Sequence, residues 1–240
     1  MSSLGHPRVH LRSTDSTNDR ARELALAGAP HGTLVTAAAQ TAGRGRQGRR
    51  WSAPPGQALL MSLLLRSPPP LLPLAAALAV CDVAGADARI KWPNDVVLVD
   101  AAGALSKLAG ILAEGRPQEG WLVLGIGLNV AVALEQLPPE LRPGGAGAQT
   151  GMAAATMGLD AHDLEPTLHE LLATLERRLA EPPEQTLAAW RERDALRGRE
   201  ISWAAGSGRA EGIDGEGRLV VALPSGGRTA LGAGEVHLRL

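Results

Sequence analysis

Phenylalanine and tyrosine are absent from this chain of 240 residues, and five tryptophans supply all of its aromatic surface. The core must therefore be packed from leucine, valine, alanine and those tryptophans. Apolar residues make up 45% of the chain, an ordinary share for a globular protein. Lysine is nearly missing as well: of 24 basic side chains only Lys91 and Lys107 are lysines, and Asn18, Asn94 and Asn129 are the only asparagines. Such a skew toward Arg, Ala, Gly and Leu has the look of genome-wide drift, not of a demand made by the fold. Against that drift a surviving lysine is a candidate for chemistry that arginine cannot do, because an ammonium is a compact point charge and a guanidinium a planar fork.

Other absences exclude whole classes. The lone cysteine, Cys81, can form no internal disulfide, and inside an apolar run it reads as a buried free thiol. A formal net charge of −1 provides no global field to hold nucleic acid or an anionic membrane, so any affinity for phosphate must come from a local cluster. The apolar run from Leu71 is interrupted by Pro73 and falls short of the roughly 20 residues of a membrane span. Met1 to Arg8 lacks a signal-peptide pattern, and a cytoplasmic protein is expected. The six histidines show no metal-ligand spacing, so no cage of protein metal ligands is expected.

Hydrophobic patterning then divides the chain. Residues 8–14 read as a strand, and Ser16 followed by Asp19 resembles a capping box opening a helix over 17–27 that Gly28 closes. Strands are predicted over 33–39 and 57–66, with the glycine- and arginine-rich stretch 40–50 as a loop between them, and a helix of a few turns after Pro70. Segments 88–92 and 95–99 read as strands around Pro93, and 106–115 with 121–130 as a hairpin. The Pro/Gly-rich stretch 138–151 reads as a loop, and amphipathic helices are expected over 162–179 and 183–196. From Gly198 short β-type runs alternate with turns such as Asp214-Gly215, the texture of a small β-barrel. The boundary falls near Leu196, giving domains 1–196 and 197–240.

The strongest local signal is Gly43-Arg44-Gly45-Arg46-Gln47-Gly48-Arg49-Arg50-Trp51. Glycines let backbone N–H groups approach an anion, and the arginines add charge and bidentate donors. A Walker loop is excluded, since its lysine and hydroxyl are missing. A solvated RNA-binding tract is the bland alternative, weakened because this tract is single, short and framed by apolar strands. Asp15-Ser16-Thr17-Asn18 offers polar groups at a strand-to-helix turn, where plain N-capping is the alternative. Lys91-Trp92-Pro93-Asn94-Asp95 gathers a cation, an amide and a carboxylate around a proline. Lys107 opens the strand carrying Gly110-Ile111-Leu112, either snorkelling outward or pointing at a ligand. Gly125 and Gly127, inside the strand that ends at Asn129, allow something to approach the backbone closely.

In this order the segments resemble the biotin–protein ligases. Residues 43–51 match that family's GRGRxGRxW at each fixed position, and the DSTN turn, the preceding Gln40, KWPND, KxxGIL and GxGxN recur at family-like spacing. The resemblance implies an α+β fold: a mixed-sheet catalytic domain related to class II aminoacyl-tRNA synthetases, followed by a small C-terminal SH3-like β-barrel. It implies that biotin is activated with ATP and Mg2+ to biotinyl-5'-AMP and passed to a lysine of the biotin carboxyl carrier protein of an acyl-CoA carboxylase.

The roles it assigns begin with catalysis: Lys107 between the biotin carboxylate and the α-phosphate, Arg44 and Arg46 on phosphate oxygens, and Asp95 orienting the carrier lysine or touching Mg2+. Biotin binding falls to Ser16, Thr17, Asn18, Gln40, Gly43, Arg44, Gly45, Arg46, Lys107, Gly110, Ile111 and Leu112. Nucleotide binding falls to Arg44, Arg46, Arg49, Trp51, Lys91, Asn94 and Asn129, with core packing an equal alternative for Trp51 and Trp92. Two departures stand out. The DSTN turn starts at Asp15, leaving no room before it for the helix-turn-helix of some members, so no DNA-binding domain is expected. The segment QTGMAAAT fits the family's ATSL-like stretch poorly. Rival readings are a lipoate- or octanoate-transferring sister enzyme, an RG-loop nucleic-acid binder, and an inactive biotin sensor. No membrane association is expected, and a homodimer is compatible with the family.

Overall fold

Two sheets organise the chain in the computed structural model, which describes residues 4–143, 152–232, 234 and 236–238. The larger sheet runs in the order β1 (Arg8–Leu11), β2 (Leu34–Ala37), β3 (Ala58–Arg66), β7 (Trp121–Asn129), β6 (Leu105–Arg116), β5 (Asp95–Val99), β4 (Ala88–Lys91), with the short β8 (Ala153–Ala154) beside the start of β6. It is mixed: β1 pairs in parallel with β2 and β6 with β8, while the other neighbours are antiparallel. The parallel pair needs a crossover, which α1 (Thr17–Leu26) supplies.

Strand β3 explains why a continuous apolar run reads as a strand. Every residue of it but Arg66 is buried, because both faces of the sheet are covered. Leu59, Met61, Leu63 and Leu65 point into the main core, where α2 (Leu72–Ala84), α3 (Leu164–Leu179) and α4 (Pro183–Glu192) contribute Leu78, Leu168 and Trp190. Leu64, facing the other way, meets Ala21 and Ala25 of α1 together with Val35 and Val123. The period of two is that of a pleated strand. Cys81 is a free thiol buried in α2, and burial pushes it up to about 12, so it stays protonated.

The second sheet is antiparallel throughout, in the order β12 (Arg228–Leu231), β11 (Leu219–Ala222), β10 (Gly206–Ile213), β9 (Glu200–Trp203), β13 (His237–Leu238). Its Ile201, Ile213, Leu219 and Val221 join the main core without a break. Trp92 spans the junction, its Nε1 donating to Gly217 O at 3.0 Å.

Three expectations need correction. The helix expected over 183–196 ends at Glu192. The first strand stops at Leu11, with only an isolated bridge between Thr14 and Gln40 beyond it. The Ser16–Asp19 capping box does not form: Ser16 makes no side-chain cap bond, and Gln40 Oε1 accepts from Thr17 N at 2.7 Å instead. A side chain from a distant loop has taken the place of the local cap. The hairpin of β6 and β7 forms as read. Within the expected loop 138–151, residues 144–151 lie outside the described residues.

Candidate active site

The arginine-rich tract is folded, not solvated. Gly45 N donates to Arg49 O at 2.8 Å and Trp51 N to Gly43 O at 2.9 Å, closing a tight hairpin around a turn of 3-10 helix, Arg46–Gly48. Gln47 and Gly48 sit at φ 55° and 75°, the left-handed pair that the reversal requires. Gly43 has no space for a side chain: a Cβ there would lie 2.5 Å from Trp51 O. The hairpin lies over the middle of the large sheet and seats the Trp51 indole on β6 and β7. Cβ atoms built on Gly110 and Gly127 would lie 3.1 and 2.5 Å from the ring. The two glycines inside β7 therefore do admit close visitors: Gly127 this tryptophan, and Gly125 the side chain of Asn18.

Two clefts open on either side of the indole. The first, about 860 Å³ including its mouth, has walls from the α1 start (Ser16, Thr17, Asn18), Gln40, the hairpin, the β4–β5 turn (Lys91, Pro93, Asn94, Asp95) and Gly110-Ile111-Leu112. Met61 and Ile126 add apolar floor. The second, about 1060 Å³, is bounded by Asn129, Leu137, Leu141, Met152 and Ala154, and by His237 from the second sheet. Among the described residues five line both: Arg49, Arg50, Trp51, Asp95 and Lys107.

At the junction Lys107 Nζ lies 2.6 Å from Asp95 Oδ1 and 5.7 Å from the Trp51 ring centroid. Asp95 Oδ1 makes no well-aligned hydrogen bond, so this contact is an ion pair and not a directional bond. Lys91, opposite Asp95 in the β4–β5 register, is 7% exposed. Burial holds its ammonium below the ordinary lysine range, against the pull of Asp95. Asn94 grips the floor of the cleft, its Nδ2 donating to Ile111 O and its carbonyl accepting from Ile111 N, both at 2.9 Å. Arg46 Nη1 donates to Asn94 Oδ1 at 3.4 Å, and partial burial lowers the Arg46 pKa.

The α1 end of the first cleft is a chain of polar contacts. Ser62 Oγ lies 2.6 Å from Asn18 Oδ1 and 2.8 Å from Thr17 Oγ1, while Asn18 Nδ2 donates to Glu114 Oε2 at 2.8 Å. The carboxylate on one side requires the amide nitrogen there, which fixes the Asn18 rotamer. Ser16, 1% exposed, lines the cleft with no cap bond engaging its hydroxyl. Of the residues singled out from sequence, Gly43, Asn129 and Trp92 do not line the first cleft, and Trp92 is packed in the core. Gly43 shapes the hairpin, and Asn129 Nδ2 donates to Ala155 O at 2.8 Å beside the second cleft. Sequence reasoning missed Asp19 and Glu114, which engage Arg44, and it missed His237. Burial and the charges of Lys91 and Arg49 hold the His237 imidazole below the usual histidine range. Among the described residues Asp160, His162 and Asp163 bring ligand-type atoms within 4.8 Å of one another. That cluster is explained by the capping bonds of its own turn, where Asp160 N donates to Asp163 Oδ2 at 2.9 Å.

Comparison with known proteins agrees with this geometry. The profile of the Biotin/lipoate A/B protein ligase family matches residues 10–130, a span holding all of the first cleft's lining but Gly234, and that of the Biotin protein ligase C terminal domain matches 198–239. The biotin–[acetyl-CoA-carboxylase] ligase of Mycobacterium tuberculosis is 36% identical over 255 residues, covering 95% of this chain and 88% of that one. The enzyme of the same name from Paracoccus denitrificans is 35% identical, covering 94% and 98%. With the bifunctional ligase/repressor BirA of Bacillus subtilis the match is 39% over 151 residues, 58% of this chain and 45% of that protein, so this chain spans about half the length of that relative. Among solved structures, the biotin protein ligase from Aquifex aeolicus in complex with biotin and ATP superposes with a TM-score of 0.77 at 26% identity, covering 98% of this chain and 99% of that one. On these grounds the chain belongs to the biotin/lipoate A/B protein ligase family.

Proposed function

We propose that this protein is a ligase that joins biotin to a carrier protein in two steps. In the first, the biotin carboxylate attacks the α-phosphate of ATP and pyrophosphate leaves, giving biotinyl-5'-AMP. In the second, the amine of a carrier lysine attacks the acyl carbonyl and AMP leaves. One observation carries the reading: Lys107 lines both clefts and stands at their junction. A cation placed there meets the carboxylate of one substrate and the phosphate of the other, and stabilises the charge developing in both steps. Biotin then takes the first cleft. Ser16, Thr17, Asn18 and Gln40 surround its ureido ring, Met61 and Ile126 its apolar body, and Gly45 and Arg46 with Gly110 to Leu112 close the walls. ATP takes the second cleft, with Trp51, Arg49 and Asn129 around the nucleotide and Arg46, Lys91 and Asn94 toward the phosphates.

Asp95 is the only carboxylate lining either cleft among the described residues. That fits a Mg2+ ion carried in by the triphosphate, since such an ion keeps several waters and takes one or two carboxylates. Bound there, Mg2+ would neutralise phosphate charge. The same Asp95 is suited to accept a hydrogen bond from the incoming lysine amine.

Further parts of the proposal rest on the resemblance. The catalytic domain, 1–196, is related to class II aminoacyl-tRNA synthetases, and the second sheet, in 197–240, is an SH3-like barrel fused to the first domain through the shared core. The carrier is the biotin carboxyl carrier protein of an acyl-CoA carboxylase, met in the cytoplasm by an enzyme able to form a homodimer. ATP–pyrophosphate exchange tests the reading. Exchange with biotin, and none with lipoate or octanoate, is expected. Exchange with either of those instead would move the protein to the lipoate branch of the family, and silence with all three would discard the reading.

A further inference from the structure

The two Gly-Arg pairs of residues 43–46 hold arginines in different situations. Arg46 turns into the first cleft. Arg44 stands at the rim with its guanidinium already engaged: Nη1 donates to Asp19 Oδ1 at 2.7 Å and Nη2 to Glu114 Oε1 at 2.6 Å. Those carboxylates belong to α1 and β6, so one side chain ties the hairpin to two elements of the large sheet's face.

Glu114 is itself held. Its second oxygen accepts from Asn18, and Asn18 accepts from Ser62 Oγ in the buried interior. The amide also lies hard against β7, where a Cβ on Gly125 would fall 2.1 Å from Asn18 Oδ1. Arg22 completes the group, 3.9 Å from Glu114 and 4.0 Å from Asp19. Two guanidiniums face two carboxylates, so the charges within this group balance. An isolated surface ion pair contributes little, on the order of 0–1 kcal/mol. A forked guanidinium bonded to two pre-positioned carboxylates has a different use: it fixes a geometry.

We infer that Arg44, Asp19 and Glu114 form a latch that holds the 43–51 hairpin closed over the first cleft, with Arg44 a positioning residue and not a phosphate ligand. This rests on the proposed adenylating activity for its consequence, though not for its existence. A closed hairpin keeps the acyl-adenylate from water. When the latch is loose the adenylate escapes, water attacks its acyl carbonyl, AMP leaves, and biotin is regenerated at the expense of one ATP.

The experiment uses the full chain with Glu114→Gln, Asp19→Asn, Arg44→Lys and the double variant Glu114→Gln/Arg44→Lys. The ligand-free readout is the rate of tryptic cleavage within 43–51, a segment rich in arginine. Loss of a charge-assisted bond should raise that rate about tenfold in Glu114→Gln. The second readout is the release of pre-formed biotinyl-adenylate on dilution, expected to quicken by a similar factor in Glu114→Gln while the biotin-dependent pyrophosphate exchange of that variant stays within about threefold of wild type. Residues that act through one another are non-additive, so the double variant should be no looser than the looser single variant. Arg44→Lys keeps the charge but loses the fork, and as an exposed change it tests the latch even where Glu114→Gln disturbs folding.

Wild-type cleavage and release rates in folded Glu114→Gln and Arg44→Lys would overturn the latch. Independent, multiplying effects in the double variant would overturn it as well. Absence of biotin-dependent exchange in the wild type would instead discard the proposed function, leaving the tryptic readout to judge the latch.

Discussion

Gly127→Ala isolates what the seat of Trp51 contributes. The backbone there is not left-handed, so alanine meets no conformational strain and its whole effect is steric. The new methyl would lie 2.5 Å from Trp51 Cε2, where ordinary contact begins at 3.4 Å, so one partner must retreat by about 0.9 Å. Strand β7 cannot, because Gly127 is paired to Leu60 on one side and Gly110 on the other in the middle of the sheet. The indole yields, because its hairpin has clefts beside it and the surface above. Overpacking a closed core costs roughly 1–3 kcal/mol, and with an outward escape the global cost should sit near the low end, about 1 kcal/mol by urea unfolding. The larger damage is to binding. The indole is part of the wall shared by the two clefts, and lifting it should weaken biotin and a non-hydrolysable ATP analogue by about tenfold each in calorimetric titration, the equivalent of ~1.4 kcal/mol. In a Trp51→Ala background the methyl has nothing to strike, and Gly127→Ala should add no further stability loss. If folded Gly127→Ala binds both ligands as wild type does, or if the stability costs of the two substitutions simply add, the indole is not seated on β7 in the working protein.

The other predictions concern charge. Lys107→Ala should lower biotin-dependent pyrophosphate exchange by about 100-fold or more. Lys107→Arg should recover little of it, because a fork replaces a point charge beside Asp95; near-normal exchange in either variant would remove Lys107 from the role. Asp95→Asn should slow single-turnover transfer to the carrier more than it slows adenylate formation, and an unchanged transfer rate would sink that assignment. Asp194 stands where α4 gives way to the second sheet. Burial raises its carboxyl pKa, and Oδ2 is buried without a partner while Oδ1 accepts from Leu196 N at 2.8 Å. The folded state therefore holds this proton more tightly than the unfolded chain does. Its contribution is complete below the ordinary carboxylate range and is lost as pH rises through the elevated folded value. Asp194→Asn should thus raise the thermal midpoint at pH 7, with the gain shrinking toward about pH 4; a gain independent of pH would refute the argument.

What sequence made legible, and what it did not, divides by the range of the interaction. Strand β3 was readable because a nine-residue, mostly apolar stretch between a glycine-rich loop and a proline cluster has few other uses. The β6–β7 hairpin and α1 were readable because turn residues and periodicity are local. The convergence of segments 16–18, 40–51, 91–95 and 107–112 on one cleft was not a local property. It came from the resemblance of ordered motifs, since neither periodicity nor propensity sets the pairing of β5 with β6. The missed residues share this cause. Glu114, taken by itself, reads as an ordinary solvent-facing position of an alternating strand, and Asp19 as a first-turn acid with its helix dipole to face. Only the register opposite Val123 and the packing of α1 on the sheet bring the two carboxylates within reach of Arg44. Gln40 displaces Ser16 as the cap for the same reason: the competitor is 23 residues away and invisible to a capping pattern. Gly127 marks the limit most clearly. A glycine inside a strand announces that something must come close, and that inference needs only the missing side chain. Which residue comes close is decided by a hairpin whose position depends on the folded sheet it covers, so the identity of Trp51 could be known only from the structure.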